Sequence, residues 1–153
     1  MTQPKLAAHI LVPTDFSQAS ELAMDAAAIL ARQNGAAVTL VHVVENAPFA
    51  PVEEDPESGT IVVKKATRDE LHVKLDAILR ERFPDAVELR SAVVASRSSA
   101  EGIVHYAESR GIDIIVMATH GRTGIGHALM GSVAEKVVRM ASCPVLTMRS
   151  KAK

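Results

Sequence analysis

Apolar positions along this chain fall into two spacings that alternate. Short runs of β-branched and aliphatic residues, His9 to Val12, Val38 to Val44, Val87 to Val94, Ile114 to Val116 and Val145 to Met148, have the length of buried strands. Between them apolar residues recur at steps of three and four. The first such set is Leu22, Ala23, Ala26, Ile29 and Leu30, and the second is Leu71, Leu75, Ile78, Leu79 and Phe83. Ala100, Ile103, Val104 and Ala107 form the third, and Val133, Ala134, Val137, Val138 and Ala141 the fourth. Each set is the stripe of a helix with one face on a core. Start and stop signals lie between the sets. Ser17 reads as an N-cap, Ser98-x-x-Glu101 and Ser132-x-x-Glu135 as capping boxes, and Asn34-Gly35, Pro84 and Gly111 as helix ends.

The Val38 to Val44 run is broken only by Thr39 and His42, as expected of a strand covered on both faces. Strands alternating with helices at this spacing predict an α/β fold: a five-stranded parallel doubly wound sheet with helices on both faces, in one domain over residues 1–153. One stretch departs from the rhythm. Asn46 to Gly59 carries Pro48, Pro51, Pro56 and the acidic run Glu53-Glu54-Asp55, which predicts a flexible, solvated connection rather than a lid.

Composition narrows the partners. Seventeen basic against eighteen acidic residues, a net charge of -1, gives no field that recruits nucleic acid or an anionic membrane. No apolar run approaches the roughly 18 residues of a membrane span, and Met1 to Ile10 lacks the apolar centre of a signal peptide. The expectation is therefore a cytoplasmic protein with neither a nucleic-acid nor a membrane partner. Cys143 is the single cysteine, which excludes an intramolecular disulfide, and reads as a small buried hydrophobe. The histidines show no HExxH spacing and there is no CxxC, so no metal site is expected.

The chemistry concentrates between the fourth strand and the last helix. Gly121, Gly124 and Gly126 allow a backbone to lie close to a ligand, and the helix beginning near Gly131-Ser132 offers unpaired amide hydrogens at its positive end. Together these suit a phosphate. Ligands of doubly wound sheets bind beyond the carboxyl ends of the strands where strand order reverses, usually beside the first strand, which delivers Asp15 there. A carboxylate on one side and phosphate-holding amides on the other suit a nucleotide, with Arg122 placed for a charge-assisted contact. Asp15-x-x-Gln18 also fits a helix cap, a role compatible with binding. His120 and His127 read as solvated loop histidines, and His42 as a core or boundary residue.

Several alternatives fail on residues. There is no GxxxxGK[ST] and no lysine in the glycine loop, which excludes a P-loop NTPase, and Gly124-x-Gly126-x-x-Leu129 lacks the last glycine of a dinucleotide fingerprint. A receiver domain needs an aspartate where this chain has Val93-Val94-Ala95. Adenylate-transferring enzymes carry a glycine-rich or HxGH pattern after the first strand, and Pro13-Thr14-Asp15-Phe16-Ser17 has neither.

Those same residues, with His42-Val43-Val44, Met117-Ala118-Thr119-His120-Gly121-Arg122, Gly131-Ser132-Val133 and Cys143-Pro144-Val145-Leu146, resemble the nucleotide-binding branch of the universal stress proteins along essentially the whole chain. The branch's signature is glycine, two residues, glycine, nine residues, then glycine with serine or threonine. Its spacing is intact here, with Ala118 in place of the first glycine. The resemblance implies a Rossmann-like, adenine nucleotide alpha hydrolase-like fold and ATP, with magnesium, between the first and fourth strands. By the same resemblance Pro13, Thr14, Asp15 and Val43 frame base and ribose. Met117, Ala118, His120 and Gly121 line ribose and the near phosphates, and Gly131, Ser132 and Val133 hold the phosphate tail. It also implies a cytoplasmic homodimer, which agrees with Val145, Leu146 and Met148 on an expected sheet edge that antiparallel pairing would cover. The function expected is nucleotide-dependent stress regulation with at most slow hydrolysis. A nucleotide-free dimerisation or client-binding module and an ATP-cleaving enzyme stand as alternatives, and the protein client is not written in these residues.

Overall fold

The computed structural model describes residues 7–120 and 130–149. Its main strands are β1 (His9–Pro13), β2 (Ala37–Glu45), β5 (Leu89–Ser96), β6 (Ile114–Ala118) and β7 (Val145–Met148), and its helices are α1 (Gln18–Asn34), α2 (Lys65–Arg82), α3 (Ser99–Ser109) and α4 (Ser132–Met140). The main strands form one parallel sheet in the order β5-β2-β1-β6-β7. The predicted doubly wound architecture is what the chain adopts. Starting from β1, the chain builds outward through β2 and β5, then returns to lay β6 against the other edge of β1. Ile10 accordingly has Val38 beside it on one edge and Ile114 on the other.

The alternation along β1 sorts two cores. Ile10 and Val12 face α1 and α2, packing with Ala23, Met24, Ala27, Leu75, Leu79 and Phe83. Leu11 faces the other layer, with Ala100, Ile103, Val104, Ala134 and Val137 of α3 and α4. The face predicted for α3 is buried in full. That of α1 is not. Its buried stripe is Ser20, Ala23, Met24, Ala27 and Ala31, while Leu22 is 37% and Ile29 50% exposed. Small side chains let α1 lie close to the sheet, so the face with alanines outcompetes the face with larger hydrophobes. Ser17 caps this helix by accepting from Ser20 N, and Gly35 closes it at φ 57°, a left-handed conformation that favours glycine.

Three further expectations need correction. Part of the Asn46 to Gly59 segment is ordered as a hairpin: β3 (Val52–Glu54) pairs antiparallel with β4 (Ile61–Val63). Asp55 closes the turn, its Oδ1 accepting from Glu57 N, Ser58 N and Ser58 Oγ, and these bonds lower its pKa. Strands of three residues are too short to show an alternating pattern. The third main strand begins at Leu89 rather than Val87, which is 72% exposed. Finally, Ser132 is not a cap. Gly131 holds the cap position of α4, Ser132 is the first helical residue, and Glu135 pairs with Arg139 at 2.6 Å instead of reaching back.

At the amino end of β1 the Asp113 carboxylate accepts from Ala8 N at 2.9 Å and His9 N at 2.8 Å, which ties β1 to the start of β6. His9 Nε2 lies 2.8 Å from Thr39 Oγ1. Burial, then the nearby Arg90, hold this imidazole below its ordinary pKa of 6.5 against the opposing pull of Asp113 and Glu88. The unfolded chain therefore takes up this proton first as pH falls, so the stability that the neutral ring supports is present above 6.5 and lost below it. The decline in unfolding free energy between about pH 7 and about pH 5 is expected to be shallower in His9→Gln, measured by urea denaturation. Gly102 gives a second test. A Cβ there would lie 2.8 Å from Val43 Cγ1 and 3.0 Å from Ser96 Cβ, so α3 approaches the sheet only because this residue is glycine. Gly102→Val is expected to cost about 1–3 kcal/mol in the same assay.

Candidate functional site

At the carboxyl end of β1 the chain makes a tight, bonded turn. Thr14 N donates to Val41 O at 2.9 Å and extends the ladder by one residue. The Thr14 side chain is buried, with Oγ1 3.0 Å from Ser20 Oγ and accepting from Phe16 N at 3.0 Å. Phe16 takes a positive φ of 63°. Asp15 Oδ1 accepts from Ser17 N at 3.0 Å, which orients the carboxylate while Ser17 does the helix capping. From β2, His42 Nδ1 lies 2.8 Å from Thr14 O, and since a carbonyl only accepts, Nδ1 carries the hydrogen. The His42 ring stacks tilted on Phe16 with centroids 4.7 Å apart, and Lys74 Nζ stands 3.8 Å from the centre of the Phe16 ring.

The opposite wall is the junction between β6 and α4. Thr119 N donates to Met148 O, and Thr119 O accepts from Gly131 N. A Cβ on Gly131 would sit 2.7 Å from that carbonyl, so only glycine permits the start of α4 to close on the end of β6. Glu135 N donates to Gly131 O at 3.0 Å as the helix begins. Its positive end, Gly131 to Val133, thereby faces the turn that carries Asp15. His120 Nδ1 lies 2.9 Å from Thr119 Oγ1, while its Nε2 is buried without a partner among the described residues.

Between these walls lies a crevice of about 250 Å³. Pro13, Thr14, Asp15, Val43, Met117, Ala118, His120, Gly131, Ser132 and Val133 all line it. Every predicted site residue is there except Gly121 and Arg122, which lie outside the described residues along with Gly124, Gly126 and His127. Sequence reasoning missed Ser20, Val41, His42, Ser99, Ile103, Thr119 and Ala134. His42 is the chief omission, because a histidine breaking an apolar strand near its carboxyl end was itself a signal. Val41, Val43, Met117 and Ile103 give the crevice apolar lining, and Asp15, His120 and the first turn of α4 give it polar groups, the combination usual in small-molecule sites. His120, read as a solvated loop histidine, is thus part of the crevice.

A family model for the universal stress protein family matches residues 7–149. The chain belongs to the universal stress protein family. Among universal stress proteins it is similar to MJ0531 of Methanocaldococcus jannaschii, 31% identical over 94% of this chain and 83% of that one. It is also similar to MJ0577 of the same organism, 29% identical over 93% and 94% of the two chains. The solved structure of MJ0577 superposes with a TM-score of 0.75 at 27% identity, covering 97% of this chain and 99% of that one. A universal stress protein from Archaeoglobus fulgidus solved in complex with dAMP shares the fold, with a TM-score of 0.64 at 22% identity over 93% of this chain and 98% of that one. Among the described residues of this universal stress protein, no helix is long and apolar enough to cross a membrane.

Proposed function

We propose that this universal stress protein binds ATP, with magnesium on the phosphates, in the crevice between β1 and β6, and that occupancy regulates its contacts in a cytoplasmic stress response. The observation that carries the reading is the Nε2 of His120, buried without a partner among the described residues, in the lining of a crevice already furnished with Asp15 and the positive end of α4. A buried polar atom without a partner costs on the order of 1–3 kcal/mol, and an oxygen-rich ligand offers the missing partner. A nucleotide-free module leaves that atom unexplained. A relative solved with dAMP supports the choice of an adenine nucleotide.

In this assignment Pro13, Thr14, Asp15 and Val43 hold base and ribose, Met117, Ala118 and His120 the ribose and near phosphates, and Gly131, Ser132 and Val133 the phosphate tail. Gly121 and Arg122 complete it as the proposed phosphate loop. The family match over residues 7–149 supports treating the chain as one domain. We also propose a homodimer through β7, an edge strand whose Leu146 is 38% exposed. A monomer at micromolar concentration in sedimentation would overturn that part.

Titration calorimetry with magnesium and ATP tests the site. Asp15→Ala is expected to weaken binding about tenfold, the loss of one hydrogen bond to a charged group, with a small loss of stability because Ser17 N loses its acceptor. Gly131→Val is expected to abolish binding. His120→Leu is expected to weaken binding by about tenfold or more while changing the ligand-free unfolding free energy by less than about 1 kcal/mol, since removing the unsatisfied Nε2 offsets the loss of the Nδ1 contact to Thr119 Oγ1. Unchanged affinity in all three variants would remove the site.

A further inference from the structure

Two helices begin at the crevice, and their first turns differ in what they offer it. Gly131 has no side chain with which to cap α4, and the leading amides of that helix suit an anion. The start of α3 is closed. Ser98 Oγ accepts from Glu101 N at 3.3 Å, and Glu45, the last residue of β2, accepts through one carboxylate oxygen from both Ser99 N and Ser99 Oγ, each at 2.8 Å. That carboxylate answers the positive end of α3 and repels a phosphate from the same corner.

Ser99 lines the crevice all the same, with Ile103 one turn further along α3 and Val41 and Val43 from β2. A serine hydroxyl has a single hydrogen, and here Glu45 takes it. The amide hydrogen of Ser99 is taken by the same oxygen. Ser99 therefore presents to the crevice an oxygen that accepts and does not donate, beside three apolar side chains.

We infer that Ser99, held by Glu45, selects a purine that carries an exocyclic amine. The inference rests on the nucleotide reading above and deepens it. With the phosphates drawn to the amides of α4 and kept from the start of α3 by Glu45, the base lies toward Val41, Val43 and Ile103, where its flat apolar faces suit the lining. The amine of adenine then donates to Ser99 Oγ. A purine with a carbonyl at that position sets one acceptor against another, and neither supplies a hydrogen: that of Ser99 is committed and the carbonyl has none. Ser99 is thus the specificity-determining residue, and Glu45 the positioning residue that keeps its hydroxyl from donating.

The test is calorimetric titration of the full chain with magnesium and either ATP or inosine triphosphate, which has a carbonyl where ATP has the amine. ATP is expected to bind about tenfold more tightly. Ser99→Ala, which keeps a good helix former in α3, is expected to weaken ATP about tenfold and to leave inosine triphosphate within about twofold, so that the preference disappears. Glu45→Ala frees the Ser99 hydroxyl to turn and donate, so inosine triphosphate is expected to bind this variant more tightly than it binds the parent protein. Equal losses for both nucleotides in Ser99→Ala would overturn the selection in favour of a ribose or phosphate contact. ATP bound with the same preference in both variants as in the parent would overturn it while leaving the nucleotide site standing. Binding of neither nucleotide to the parent would remove the nucleotide reading itself and this selection with it.

Discussion

Everything in the crevice depends on β1, a strand of five residues with parallel partners on both edges and helices on both faces. Its inner residues Ile10, Leu11 and Val12 are wholly buried, and Asp113 fastens its amino end. A strand held from four sides has little freedom, so the turn that follows it is presented from a fixed base. That explains how Phe16 persists at positive φ: Thr14, Ser20 and Ser17 bond the turn on every side, and the strain is local while the restraints are many. The crevice exists because α1, which leads from β1 to β2, and α3, which leads from β5 to β6, lie on opposite faces of the sheet.

Much of this architecture was legible in the sequence because burial on both faces and burial on one face leave different periods. The strand at Val38 and the helix at Ala100 are plain cases: one is a nearly continuous apolar run, the other a stripe behind a serine cap. The stripe of α1 misled for a physical reason. Hydrophobicity ranks leucine and isoleucine above alanine, but a helix laid against a twisted sheet is placed by the volume it brings, and Ala23, Ala27 and Ala31 bring least. The hairpin β3–β4 was hidden because Pro51 and Pro56 flank strands too short to carry a period.

The site was legible where its residue types are dictated by backbone geometry. Gly131 is glycine because a carbonyl occupies the place of its Cβ, and a requirement of that kind survives in sequence as a fixed spacing. Ser132 illustrates the limit. Serine followed by glutamate three residues later has the form of a capping box, yet the helix starts one residue earlier, so the hydroxyl sits in the first turn. His42 signalled itself by breaking an apolar strand, but its contact did not: the bond reaches from one strand to the turn beyond its neighbour, a relation that no local spacing records.

Thr119 has a double attachment with a mechanical meaning. Its amide is bonded to Met148 on the outermost strand, and its carbonyl to Gly131 at the first turn of α4. The two bonds share one residue, so the first turn of a helix at the crevice and the outermost strand of the sheet are joined through a single amino acid, and the position of each is referred to the other.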